Sequence, residues 1–423
     1  MRGPVRLVRT GMTWNDFLSP YIQAKAWAQG KDPYSAQSLI LLWPPDSRRP
    51  SWVVPEAAAG VLEMKRGIPT PYPLTSLVTL SPFTVLSWSV ALRLWIAINV
   101  AAVLLTPFAM VSICGVGLLD FRARLFLAVA FALACLHTGL GTANPAMLAV
   151  CLTVATVWAE RIGREKLAGV FLALAVCLKP TVAAGLLLYY LVRRRWKIAG
   201  IACAATVVVG IVGVTRLALA GVPWVSSYLE NTRRIFAPGA LADFTQADPS
   251  WFNMINAQVF FYGLVGKASV ANLLSLLLAA ALLGCWFWLC RRRPTPSGSL
   301  EISAVSVLIL IPVYHRFYDA SLLIWPLAWS LLFVRKRLFA VLTLATIFPF
   351  LVPGAALLDK LALAGRIPSA IANGWWWNSI VMPHEAWDLI LLAMLLLYFM
   401  SRDSVGESEA VGNSSKLEAA IKP

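Results

Sequence analysis

The chain has 423 residues, 59% of them hydrophobic and only 13% charged, with a formal net charge of +16 and a mean hydropathy of +0.73. A water-facing globule has no surface on which to place so much apolar area, so a large part of the chain faces lipid. The basic residues form no stripe interleaved with stacking aromatics, which excludes a nucleic-acid partner; they punctuate the apolar runs instead.

In chain order, the first segment, 1–82, reads as an exterior region before any span. Within it Asp16 precedes a stretch in which Phe17, Tyr21, Ala24 and Ala28 recur at helical spacing, predicting an interfacial helix. The first run able to cross begins at Phe83, and 83–105 contains no Pro or Gly to turn on, so 83–111 is predicted to be one span. Further spans follow at 125–140 and 145–159, a short hairpin at 167–178 and 181–191, and a span at 198–220. After an exterior stretch, 221–267, come 273–290, 302–313, 317–334, 338–358 and 387–400. The fold class is therefore all-α: a polytopic integral membrane protein, its domain of spans covering 83–400 with about eleven transmembrane helices. A polar tail, 401–423, has the composition of a disordered cytoplasmic end.

Orientation follows from the basic turns. Arg122 and Arg124, then Arg161, Arg164 and Lys166, then Arg193, Arg194, Arg195 and Lys197, then Arg291, Arg292 and Arg293, then Arg335, Lys336 and Arg337 each border a span, which places those turns in the cytoplasm. The opposite face then collects the segment before Tyr72, the GTANP turn, Lys179, the loop after Ala220, the YHRFYD turn and a Trp-rich loop, whose Trp375, Trp376 and Trp377 read as an interfacial belt. One conflict remains, since nine Lys and Arg residues precede Phe83: either 74–80 and the residues after it cross twice and leave the first segment in the cytoplasm, or a further helix lies upstream of Met1, which the lack of a turn in 83–105 favours. The seven cysteines lie mostly inside apolar runs, match neither a disulfide framework nor a zinc site, and read as lipid-buried thiols.

Three clusters are able to carry chemistry. Asp16 is either a helix cap or a general base for an acceptor hydroxyl. Lys179, inside the apolar AVCLKPTVAAG, costs roughly 2.5–3.5 kcal/mol at membrane depth, so it either snorkels from a helix tip or meets a phosphate in a cavity. His315, Arg316, Tyr318 and Asp319 form either a plain exterior turn or a ligand-facing rim, and their residue types are unusual for a turn. Beside the GTANP turn, His137 and Asn144 carry a weaker signal, since Pro145 alone explains a helix start there. No GxGxxG, Walker, HExxH or GxSxG motif stands in a nucleotide-binding or hydrolase context.

The succession NDF, GKDPY, PYPLTSLVTLSPF with ALRLW, GTANP, LAGVFLALAVCLKPT and YHRFYDASLLIWPL resembles glycosyltransferase family 87, over residues 14–332. The resemblance implies a GT-C-like enzyme: a mannosyltransferase drawing on a polyprenyl-phosphate sugar donor, inverting the sugar as it passes to a lipid or glycan acceptor on the outer face of a cell's inner (plasma) membrane. It implies Asp16 as the catalytic carboxylate, with Lys179, His315, Arg316 and Asp319 facing the donor phosphate and the acceptor cavity; Asn144 and Tyr318, from the residue reading, join them as candidate substrate contacts. No cofactor is called for, and a divalent cation stays open. Two departures are visible: no hydrophobic helix precedes the DF motif, and Thr142 stands where the family often has Gln. The rival reading of the same spans is a transporter or lipid-carrier flippase, which the absence of matching halves disfavours.

Overall fold

The structure is a computed structural model that describes residues 16–45, 71–295, 297–334 and 336–402. The basic residues before Asp16, Arg335 and the tail 403–423 lie outside the described residues. Within them the chain is helical throughout, and its one pairing of extended backbone is an isolated bridge between Met254 and Arg316. Four helices are long and apolar enough to cross a membrane: Trp88–Ile113, Trp196–Leu219, Ala268–Arg292 and His384–Ser401. The number rises to six if each of two bent pairs, Phe121–Ala132 with Ala134–Thr142 and Arg337–Leu351 with Gly354–Leu363, is one span. Other runs read as spans form shorter apolar helices, such as Pro180–Val192, Ser299–Leu308 and Phe317–Phe333.

The outer helices keep their apolar side chains exposed. Val207, Val208, Ile211 and Val212 on Trp196–Leu219, and Leu273, Leu276, Leu277 and Trp288 on Ala268–Arg292, face away from the protein, as a hydrocarbon solvent permits. On the inner side small residues bring backbones together. A side chain on Gly169 would meet Ile201 at 2.7 Å and one on Gly213 would meet Leu74 at 3.0 Å, so helix Trp196–Leu219 lies close against Glu165–Leu178 and Leu74–Leu80.

Two local expectations change. The run from Phe83 is not one helix: Ser81–Val85 tightens into a 3-10 turn, Leu86 and Ser87 are extended, and Trp88–Ile113 begins afresh. No Pro or Gly is needed at this break, because the Ser81 and Thr84 hydroxyls bond the carbonyls of Val78 and Ser81, and the Tyr21 hydroxyl donates to the Leu86 carbonyl at 2.9 Å. The helix after Asp16 does form, at Leu18–Ala28, with eight of its eleven residues buried. It packs on Leu74–Leu80 and Ser81–Val85, and Phe17 stacks on Trp95 with ring centres 4.6 Å apart.

The chain shuttles between two ends. At one, the basic turns are tied together: Arg122 donates to the Leu331 carbonyl at 2.8 Å, Arg161 to Ser297 at 2.6 Å and Arg293 to Ser401, while Arg195 pairs with Glu160 at 3.2 Å. At the other, the loops are cross-bonded. The Asp16 amide donates to the Thr142 carbonyl, the Tyr34 hydroxyl to the Tyr72 carbonyl, Asn231 to the Tyr34 carbonyl, Arg316 to the Leu241 carbonyl and Ser379 to the Gly263 carbonyl. The exterior stretches grouped by the sequence reading therefore touch one another.

Candidate active site

The site begins with a backbone turn. Helix Ala134–Thr142 ends with Ala143 in the left-handed region, φ 55°, a conformation that costs an L-residue about 1–2 kcal/mol. The buried Trp95 indole holds it there by donating to the Ala143 carbonyl at 2.9 Å. The reversal presents Thr142 and Asn144 to the same neighbour. Asp16 donates its backbone N–H to the Thr142 carbonyl at 2.8 Å, and its carboxylate accepts the Asn144 amide at 2.8 Å and a bond from the Thr142 side chain.

The orientation of the Asn144 amide is fixed by its other partners. Its Oδ1 accepts the Ala146 N–H at 2.8 Å and the Lys179 ammonium at 3.2 Å, so its Nδ2 is the end that donates to Asp16. Pro145 is the cap residue of helix Ala146–Arg161.

Lys179 stands alone between helices Glu165–Leu178 and Pro180–Val192, in an extended conformation (φ −151°, ψ 85°). Pro180 has no N–H to continue the first helix, and the carbonyls of Cys177 and Leu178 are taken up by the Ser76 hydroxyl at 2.7 and 3.1 Å. The break turns the lysine inward, where it pairs with Asp319 at 2.5 Å and lies 4.6 Å from the ring centre of Tyr318.

Asp319 in turn accepts from His315 Nδ1 at 3.1 Å and from the Arg316 N–H at 3.3 Å. His315 is fully buried, and its Nε2 has no hydrogen-bond partner. Arg316 points the other way: it donates to the Tyr314 hydroxyl at 2.6 Å and the Leu241 carbonyl at 2.7 Å, and lies 3.9 Å from the Asp248 carboxylate. One continuous polar chain thus runs Asp16, Asn144, Lys179, Asp319, His315. Every residue singled out from the sequence for substrate contact lies on it or touches it. His137 does not join: it donates to the Phe131 carbonyl at 2.7 Å, a carbonyl freed by the bend at Leu133.

Burial raises the Asp16 pKa above its ordinary value, against the opposing pull of Asn144, Thr142, Lys179 and Arg316. That keeps a basic carboxylate at the edge of a polar chain, the condition a proton acceptor needs. Asp248, Tyr72 and Tyr314 were not singled out from the sequence, since nothing local distinguishes an Asp at a turn or a Tyr in a loop. Tyr314 adjoins His315 in the chain, whereas Asp248 and Tyr72 reach the cluster only through the fold: the Tyr72 phenol is within electrostatic range of Asp16, Tyr314 and Asp319. Among the described residues no group of three or more His, Cys, Asp and Glu side chains is placed to hold a metal ion.

Fold and site define a helical protein with membrane-crossing helices and a buried polar centre where its loops meet. The model of glycosyltransferase family 87 matches residues 70–312. That is more than half of the chain, which belongs to this family and so to the glycosyltransferases. The matched stretch contains Asn144 and Lys179; Asp16 and the cluster from His315 to Asp319 lie outside it. No curated protein and no solved structure matches the chain.

Proposed function

We propose that this glycosyltransferase moves a hexose, mannose by family resemblance, from a polyprenyl-phosphate donor to a hydroxyl of a lipid or glycan acceptor, on the outer face of a cell's inner (plasma) membrane. The observation that carries the reading is the chain Asp16–Asn144–Lys179–Asp319, which joins a half-buried carboxylate to a half-buried ammonium through one amide. Asp16 takes the proton of the acceptor hydroxyl. The oxygen attacks the anomeric carbon, the bond from that carbon to the phosphate oxygen breaks, and its electron pair leaves with the polyprenyl phosphate, inverting the sugar. Lys179 has three N–H donors, two of them engaged by Asn144 and Asp319, and the third is free to meet the departing phosphate beside unused Arg316 donors.

The topology that goes with this reading has the basic turns in the cytoplasm and the polar chain outside. The shorter apolar helices complete about eleven crossings, in the GT-C manner. Segment 1–82 then belongs to the exterior, 83–400 forms the spanning domain, and 401–423 returns to the cytoplasm. The test is an assay in membranes with radiolabelled polyprenyl-phosphate mannose and, in parallel, its glucose counterpart. Label should pass to an acceptor with one of them, and Asp16→Asn should abolish transfer while the protein still inserts. Full activity of that variant removes Asp16 from the mechanism.

A further inference from the structure

A second feature lies beside the polar chain. Between residues 249–252 and 359–382 is a cavity of about 500 Å³, within the range of about 300–1,000 Å³ typical of small-molecule sites. Two indoles, Trp251 and Trp377, line it together with Asp359, Ser369, Asn373 and Asn378. Such a wall suits a pyranose. Indoles offer an apolar platform to the C–H face of a sugar ring, and amides, a hydroxyl and a carboxylate supply the mixed donors and acceptors that its hydroxyls require. Among the described residues Asp359 is the only charged one in the lining, which disfavours an anionic ligand.

The lining is not consumed by internal bonding. Among the described residues Asp359 makes no ion pair and the Asn373 amide no hydrogen bond, and the Asn378 amide has only two long contacts of 3.4 Å, to the Ala372 and Gly374 carbonyls. The Trp-rich loop divides accordingly: Trp375 and Trp376 are 64% and 48% exposed, whereas Trp377 is turned inward at 8%.

One short stretch joins this cavity to the candidate active site. Trp251 lines the cavity and its backbone N–H donates to the Asp248 carbonyl. Asp248 faces Arg316, Met254 bridges to Arg316, and the Ile255 N–H donates to the His315 carbonyl at 3.1 Å. We infer that the cavity walled by Trp251, Trp377, Asp359 and Asn373 is an acceptor subsite that seats a neutral oligosaccharide of hexoses, free or as the headgroup of a glycolipid, with its growing end toward the polar chain. Its role as an acceptor subsite rests on the transfer reading above; the sugar binding does not.

The test titrates detergent-purified full-length protein by calorimetry with mannotriose, maltotriose and cellotriose, and with the octyl glycoside of each. At least one trisaccharide should bind saturably to the wild type. Asn373→Ala, at an exposed position, and Trp377→Leu should each weaken that binding about tenfold, while Trp375→Leu, on the exposed side of the loop, leaves it unchanged. Octyl glycosides binding much more tightly than the free sugars assign the site to a glycolipid headgroup; equal affinity assigns it to a free glycan. Absence of saturable binding by all six probes, or binding that survives both Asn373→Ala and Trp377→Leu, overturns the inference. The wild type, run with the same probes and in the donor assay, separates the two proposals: saturable trisaccharide binding beside no transfer from either donor faults the transfer mechanism alone.

Discussion

Asn144 is the hinge of the candidate site, because one amide hydrogen-bonds two ionisable groups, Asp16 and Lys179. Its donated hydrogen bond favours the charged form of Asp16, opposing the burial that raises the pKa of that carboxylate. A base must be deprotonated to act, so activity is lost as pH falls through the Asp16 pKa, and the acid limb of the pH–rate profile should lie above the ordinary carboxylate range. Asn144→Leu removes the stabilising donor and should move that limb to higher pH, a shift read from kcat against pH; an unmoved limb would mean that another group titrates. Asp16→Asn should lower kcat by about 10²–10⁴-fold, the usual contribution of a general base. At Lys179 the expected effect is first on folding. Lys179→Met leaves Asp319 buried without its partner, at a cost of about 3–5 kcal/mol. The double variant Lys179→Met with Asp319→Asn should recover thermal stability without recovering transfer.

Among the elements, the broken helix around Lys179 shows how an interruption is tolerated in apolar surroundings. The Ser76 hydroxyl shares its proton between the carbonyls of Cys177 and Leu178, beside the extended lysine. Ser76→Ala should therefore destabilise the protein by about 1–3 kcal/mol, seen as a lower unfolding midpoint in detergent. Gly169 works by absence: a Cβ there meets Ile201 at 2.7 Å, and Gly169→Val should cost about 1–3 kcal/mol through forced separation of two helices. The break at Lys179 was legible, since a Lys-Pro pair in an apolar run has few other meanings. The break at Leu86 was not. It rests on hydroxyl-to-carbonyl bonds and on Tyr21, sixty-five residues away, which no local pattern records. Helix Leu18–Ala28 was legible as a helix, but its burial on nearly every side depends on Leu74–Leu80 and Ser81–Val85, whose positions only the fold supplies.

At the scale of the whole molecule, the two ends have different chemistry. Basic turns close one end with bonds to carbonyls and glutamates, and the other gathers the loops around a carboxylate and an ammonium. The alternation of apolar runs and basic turns carried that division in the sequence, as did the odd residue types of GTANP, CLKPT and YHRFYD. Asp248 and Trp377 could not be picked out, because a turn aspartate and one indole among three gain their surroundings only when distant loops meet. The topology proposed here can be checked in a cysteine-free background. Single cysteines at Asn373 and at Arg164 should label from opposite sides of the membrane, with only the first reached by an impermeant maleimide in intact cells. Labelling of both from outside would reject the orientation.

The left-handed Ala143 has one more consequence. A backbone bent against its preference and pinned by an indole is a hard edge, and residues 142–144 cannot give way to a bulkier guest. Any adaptation to substrates of different shape must come from the facing loops around Asp248 and Asn373. Directed evolution toward new acceptors should therefore collect its changes there and leave the GTANP turn untouched.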